Sequence, residues 1–392
     1  MADVMNYIDR LVAELCPDGV DFYTIDELIT LDFGTRITKS KDAGTIYPVY
    51  GGGGASFRTD NYNREDKYVV SRFAMSEKCV RYVSGKFWML DSGFTYSVKD
   101  ESLLSYKYIS YWLLNAQQEI YACSSQSAQR NLKTAEFKRF EVPVPPLEIQ
   151  EAIVEILDKF TNLETELETE LEARTLQYEY YRDSLFEALD CPRVPLGSFA
   201  RLVRGSGMPK TDFSESGVGA IHYGQIYTKF GTATAEVIAH VPEDKAKKLA
   251  VVNPGDVIVA NTSENLEDVC KAVAWVGDSD IVTGGHATVI KAPEQNAKFI
   301  SYYMATGRFN KDKRRHAFGT KVIDVAPKNL AKIEFPVPPL EEQQRIVDIL
   351  DRFDSLTTSL SEGLPAELAA RRSQYEYYRD QLLTFPRKGD NQ

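Results

Sequence analysis

Residues 140–147 read F-E-V-P-V-P-P-L, and residues 333–340 read I-E-F-P-V-P-P-L. Matching apolar residues follow each: Ile153, Phe160 and Leu167 after the first, Ile346, Phe353 and Leu360 after the second, at an offset of 193. Further along, residues 178–183 read Y-E-Y-Y-R-D and residues 375–380 repeat them unchanged, at an offset of 197. The second copy has gained four residues in between. Chance does not place a six-residue identity in register with a proline-rich match upstream, and an internal repeat of this kind sets the architecture before any other feature does. Fainter echoes extend it. Residues 106–112 (Y-K-Y-I-S-Y-W) resemble 297–303 (A-K-F-I-S-Y-Y), and residues 7–15 (Y-I-D-R-L-V-A-E-L) resemble 181–189 (Y-R-D-S-L-F-E-A-L). The chain thus opens with the tail of the helix that closes each module. This circular arrangement predicts a pseudo-twofold molecule with neighbouring ends.

Pro143, Pro145 and Pro146 end the strand before the first helix, because a residue preceding proline avoids the helical region. Residues 147–189 then contain neither proline nor glycine and read as one helix. Ile153, Ile156, Phe160, Leu163 and Leu167 fall at spacings of three and four, the pattern of a coiled-coil seam. Three units, L-E-T-E, L-E-T-E and L-E-A-R, fill 163–174. A four-residue insertion in a heptad is a stutter, and the seam resumes at Leu171, Tyr178 and Leu185. The second helix follows Ile346, Phe353 and Leu360, meets Gly363 and Pro365, and resumes at Leu368, Tyr375 and Leu382. An interior proline costs ~3 kcal/mol, so a kink or break is expected near 361–365. Each helix alone would expose an apolar stripe, and the expected partner is the other copy, antiparallel.

The fold class expected is α+β: two mixed α/β domains joined by two long helices in an antiparallel coiled coil. The expected boundaries are 1–20 for the N-terminal helical fragment, 21–142 and 191–335 for the globular domains, 143–190 and 336–385 for the helices, and 386–392 for a tail. Strands are expected at 47–50, 68–73, 80–83 and 95–98, then at 220–223, 256–260, 272–276 and 287–290. Helices are expected at 109–115 and 299–306.

Of the 392 residues, 43% are hydrophobic and 26% charged, an ordinary globular balance. No run approaches the ~20 apolar residues of a membrane span, and the charged, amphipathic N-terminus is not a signal peptide. Cys16, Cys79, Cys123, Cys191 and Cys270 are scattered, with no C-x-x-C pair, which speaks against a zinc ribbon or disulfide framework. A cytoplasmic location fits. The net charge of −11 is unevenly placed: 143–190 carries −10, whereas 191–335 carries +4 and 1–142 only −2. The acidic total therefore leaves nucleic-acid binding by the globular domains open.

Gly51, Gly52, Gly53 and Gly54 form the most conspicuous loop, but a phosphate-binding loop would end in Gly-Lys-Ser/Thr and here Ala55-Ser56-Phe57 follows. Four glycines permit positive φ and close backbone approach to a ligand, or simply a hairpin turn. No adenine-methyltransferase, helicase or nuclease motif is present, and His222, His240, His286 and His316 lack metal-ligand spacing. No catalytic residue, metal site or cofactor is expected in this chain. Several groups suit DNA instead. Lys311, Lys313, Arg314 and Arg315 form the densest basic run and fit either phosphate or a solvated surface. Ser71 and Arg72, and Asn261, Thr262 and Ser263, follow expected strands. His222, Tyr223, Gln225 and Tyr227 follow another, and His286 joins the candidates. Gln and Asn pair bidentately with adenine and Arg with guanine, at ~1–3 kcal/mol of discrimination each.

The sequence P-V-P-P-L-E-E-Q-Q-R-I-V-D-I-L-D-R-F and Q-Y-E-Y-Y-R-D, each with a diverged copy, resemble the conserved regions of type I restriction-modification specificity subunits. The repeat at 163–174 resembles the spacer repeat of the IC-type group. The resemblance spans the chain, and the globular domains match it only in layout, as variable target-recognition domains would. It implies that each globular domain reads one half of a split double-stranded DNA target while the helices set the spacing. It also implies two methyltransferase subunits docked on the helices, carrying S-adenosylmethionine, and motor-nuclease subunits in the full complex. The rival reading is a non-catalytic coiled-coil scaffold that binds protein only.

Overall fold

The computed structural model describes residues 2–357 and 363–389. By internal contacts it divides into two units, Met1–Glu166 with Ala370–Gln392, and Leu167–Ala369. The five cysteines are unpaired, and no described helix is long and apolar enough to cross a membrane.

The first unit is built on six strands in the order Ile29–Phe33, Gly93–Val98, Arg64–Ser71, Val80–Met89, Tyr47–Gly51 and Gly54–Thr59. All neighbours run antiparallel except Tyr47–Gly51 beside Val80–Met89. Strand residues Val70, Phe94 and Tyr96 share one core with Ile109 and Leu113 of helix Tyr106–Asn115 and with Ile149, Ile153 and Leu157 of the long helix. The second unit has a five-stranded sheet, Arg201–Arg204, Ala287–Lys291, Val257–Ala260, Ala272–Trp275 and Ala233–Thr234. A four-stranded sheet accompanies it, Ala239–Val241, Val218–Ile221, Ile281–Thr283 and Ala250–Val252. Each contains one parallel pair. Phe299, Tyr302 and Tyr303 of helix Ala297–Met304 pack with Ile346, Val347 and Leu350 of helix Leu340–Thr357. The class is α+β with mixed sheets.

The repeat reaches individual hydrogen bonds. In the first unit, the fully buried Gln150 accepts from Ser105 N (2.8 Å) and donates to Leu103 O (2.9 Å) and Pro145 O (2.7 Å). In the second, the buried Gln343 accepts from Asn296 N (2.9 Å) and donates to Gln295 Oε1 (2.7 Å) and Pro338 O (2.8 Å). About two turns further on, Asp158 takes Lys107 and the Tyr111 hydroxyl, and Asp351 takes Lys298 and the Tyr302 hydroxyl. Each amide and carboxylate therefore seats the helix of a globular part on the helix that follows the prolines. Two-stranded ribbons repeat as well: Asp21–Thr24 with Glu141–Val144, and Arg193–Pro195 with Glu334–Pro336.

The long helix runs over Leu147–Glu187, which matches the expected span to within two residues. Within the first unit its early part pairs antiparallel with helix Gly363–Leu382: Phe160 meets the rings of Tyr375 and Tyr378, and Glu164 meets Arg372 four residues on. Within the second unit, Tyr181 stacks on Phe353. The buried or half-buried line on the long helix is Ile153, Leu157, Phe160, Glu164, Leu167, Leu171, Thr175, Tyr178 and Arg182. Leu163 is not on it. Its side chain is 45% exposed, because it stands one position off the line that Glu164 occupies. On the second repeat, Ile346 and Leu368 are buried and Phe353 and Tyr375 half-buried, while Leu360 lies outside the described residues. Helix Leu340–Thr357 reaches the edge of the described residues, and Gly363 opens the next described helix at φ +77° with Pro365 in its first turn. A left-handed residue cannot continue an α-helix, so the helix starts afresh there.

The two chain ends meet in the first unit. Val20 N donates to Pro386 O (3.0 Å), and Lys388 N donates to Val20 O (3.0 Å). Ile8 and Leu11 of helix Ala2–Leu15 share the first core with Leu382 and Leu383. In the second unit, the corresponding passage from helix to ribbon is continuous chain, through Cys191 and Pro192.

Candidate nucleic-acid interface

In the first unit the glycine run is the tip of a hairpin, with Gly51 paired to Gly54. A Cβ on Gly52 would sit 1.7 Å from the carbonyl oxygen of Phe73, so only glycine lets the tip lie on that backbone. The Gly52 carbonyl accepts from Ser71 Oγ (2.7 Å) and Arg81 Nη2 (2.9 Å), and its amide donates to Ser92 Oγ (3.1 Å). Ser71 is buried in this clamp, which corrects its expected role as an outward contact. Gly53 has open space around it. Arg72 comes next in the chain. Its amide donates to Ser92 O and its carbonyl accepts from Leu132 N, both at 2.8 Å. Its guanidinium lies over the rings of Phe33 (5.0 Å to the centroid) and Phe73 (4.6 Å).

The second unit builds the same junction. Asn261 N donates to His286 O (2.7 Å), and Val325 N donates to Asn261 O (3.0 Å). Asn261 therefore stands where Arg72 stands, His286 where Ser92 stands, and Val325 where Leu132 stands. The contents differ. The Asn261 side chain is fully buried, donating to Val325 O (2.7 Å) and accepting from Thr288 Oγ1 (2.6 Å). Both ends of the amide are bonded inside the protein, so it holds the frame and is withdrawn as a reader.

Around this junction several expected residues converge. The strand 218–221 stops at Ile221; His222 caps a helix over Tyr223–Thr228, so the strand expected through Tyr223 ends two residues early. His222 Nδ1 accepts from Gly224 N (3.1 Å), and Gln225 Oε1 accepts from His222 N (2.8 Å), the reciprocal pattern of a capping box. The His222 and Tyr223 rings lie 4.4 Å apart, and Tyr223 and His286 5.1 Å apart. Tyr227 donates its hydroxyl to Thr262 O (2.7 Å), and Thr262 Oγ1 lies 3.1 Å from His286 Nδ1. Thr262 is buried, Ser263 half-buried, and His286 exposed at φ +65°. Burial, helped by the charge of Lys210, holds the His222 imidazole below its usual pKa and so neutral at pH 7. Close backbone crossing shapes this end too: a Cβ on Gly205 would lie 1.9 Å from Gly284 O.

The basic run divides. In helix Gly307–Arg314, Phe309 and Lys313 sit four apart on the buried face. Lys313 donates to Glu267 O and Val269 O, both at 2.7 Å, and burial pulls its pKa down. It ties this helix to the loop at 267–269, and its ammonium is spent there. Arg314 pairs with Glu267 and Arg315 with Asp312, both at the surface, and Lys311 is exposed. Replacing Lys313 with alanine is expected to cost about 2 kcal/mol in a urea melt, by stranding two buried carbonyls. Lys311→Ala is expected to leave the melt unchanged, and a Lys313 variant as stable as the parent would contradict the assignment.

The family model for the type I restriction modification DNA specificity domain matches residues 17–174 and again 194–370. The chain belongs to this family. It is 30% identical to the EcoR124I/EcoR124II specificity subunit of Escherichia coli over 98% of both chains. A type I restriction enzyme specificity subunit of Haemophilus influenzae is 26% identical over 93% of this chain and 96% of that one. The fold is similar to the crystal structure of the type I restriction-modification S subunit from M. genitalium, at a TM-score of 0.58 and 17% identity over 93% of this chain and 96% of that chain. The double match of the specificity-domain family falls on both copies of the repeat.

Three kinds of residue in this family member escaped the sequence reading. Arg81 and Ser92 carry no local signal, because the hairpin tip they hold is remote in sequence. Gly205 looks like any loop glycine. Gln150 and Gln343 did carry a signal: P-P-L-E-x-Q stands in both copies at the same offset as the prolines. Among the described residues, no cluster of three His, Cys, Asp or Glu could hold a metal.

Proposed function

We propose that this chain is the non-catalytic DNA-recognition subunit of a cytoplasmic type I restriction-modification complex, each unit reading one half of a bipartite target. The observation that carries this reading is the junction built twice. One frame of main-chain hydrogen bonds holds Arg72 and Ser92 in the first unit and Asn261 and His286 in the second. Equal frames with unlike side chains suit the reading of two unlike half-sites. In the first unit, Arg72 and the open Gly53 are the reading candidates, with Gly51, Gly52 and Gly54 supporting them. In the second, His222, Tyr223, Gln225, Tyr227, Ser263 and His286 serve, with Lys311, Arg314 and Arg315 as phosphate candidates.

The long helix carries residues of both units, and in this reading it sets the unspecified gap between half-sites. Two methyltransferase subunits dock on the repeated helices and supply S-adenosylmethionine; motor-nuclease subunits complete the complex. The test is methylome sequencing of a host that expresses this chain with its methyltransferase. One bipartite methylated motif, absent without this chain, is expected. DNA affinity of the purified complex should fall steeply with salt. A protein-only scaffold would give neither motif nor salt-dependent affinity.

A further inference from the structure

We infer that Arg72 reads a guanine in the half-site of the first unit; this rests on the proposed function and goes beyond it by naming residue and base. Arg72 is half-buried, and among the described residues its guanidinium has no hydrogen-bond acceptor. Other arginines nearby are engaged. Arg58 donates to Ile46 O, Arg64 to Asn63 O, Asp32 O and Thr95 Oγ1, and Arg81 to Gly51 O and Gly52 O. A partly desolvated cation with five idle donors calls for a partner.

Its surroundings select which. Phe33 and Phe73 lie against the planar group, and Phe33 is 44% exposed. Rings that contact the cation take no hydrogen bond from its N–H fork, which stays free to bond. That fork matches the O6 and N7 pair of guanine in the major groove. A backbone phosphate offers two oxygens as well, and main-chain amides often join a phosphate site; three of those nearest Arg72 are engaged. The amides of Arg72 and Phe73 both donate to Ser92 O, and that of Gly52 to Ser92 Oγ. Arg72 is also fixed at both main-chain groups, by Ser92 O and Leu132 N, and the hairpin tip is locked on Phe73. The fork is thus held in register by the same frame that buries Asn261 in the second unit. The two units part at this position, one offering a base reader and the other a structural amide.

The test compares the full chain with its Arg72→Lys and Arg72→Ala variants, each expressed with the methyltransferase, by methylome sequencing. Lysine keeps the charge and the ring contact and loses the fork, so it separates readout from folding. Both variants are expected to relax one G·C position of one half-site, lowering discrimination there roughly 5- to 150-fold, with the other half-site and the gap unchanged. Weaker methylation at all sites with every base still specified would assign Arg72 to the DNA backbone and overturn the inference. So would a parental motif with no G·C pair in either half, or an Arg72→Ala motif identical to the parent. Failure of the proposed function reads differently, as no bipartite motif from the parental chain.

Discussion

A chain lacking residues 167–170, one L-E-T-E unit, is expected to direct methylation to a target whose gap is one or two base pairs shorter, with the bases of both half-sites unchanged. Four helical residues contribute ~6 Å of rise and a net turn of ~40°. One DNA step is ~3.4 Å and turns ~34–36°. Length alone argues for two base pairs and rotation for one. The burial line explains why such a deletion should still fold. It steps from Phe160 through Glu164, Leu167, Leu171 and Thr175 to Tyr178, with two consecutive spacings of four between Leu167 and Thr175. Removing one unit takes out the extra four and leaves alternating fours and threes, the regular seam of a coiled coil. Methylome sequencing of the deletion chain decides it. An unchanged gap, or altered half-site bases, would refute the spacer role of this helix.

The second large effect concerns stability. Gln150→Leu and Gln343→Leu are each expected to cost about 3 kcal/mol or more, because each strands one amide and two oxygen acceptors around a buried side chain at ~1–3 kcal/mol per group. Against a typical margin of ~5–15 kcal/mol, either change should lower the urea midpoint clearly, and the pair together should leave little folded chain. The measurement is a urea melt of each single variant beside the parent. A loss under about 1 kcal/mol would show that water or a neighbouring group takes over the role of the amide.

Those two glutamines also show what could be read from sequence. Helices, prolines and the repeat were legible because their signals are local: proline restricts the preceding residue, and a 3.5-residue period persists over many turns. Leu163 lies off the seam because a heptad continued straight into the stutter is one position out there, and one position moves a side chain from seam to solvent. A run of charges suggests a surface, yet Lys313 is buried, and Phe309 four residues earlier marks that face of the helix. Ser71 and Asn261 looked like loop-start contacts. Their burial follows from strands and loops that meet them from 19 to 64 residues away, Gly52 for one and Thr288 and Val325 for the other. The junction itself could not be seen in sequence, since its hydrogen bonds are main-chain and leave the side chains free to differ. That freedom is also why the two globular domains share so little sequence on a common plan.

The duplicated seat formed by Gln150 with Asp158, and by Gln343 with Asp351, has a consequence at the level of the gene. Both seats offer an incoming helix the same amide and the same carboxylate, and both are preceded by V-P-P-L. A crossover between the two proline-coding segments joins the reader upstream of one to the helix downstream of the other, and the receiving seat is already correct. Each reader is thus exchangeable as a unit, with no new contact to be built at the seat that receives it.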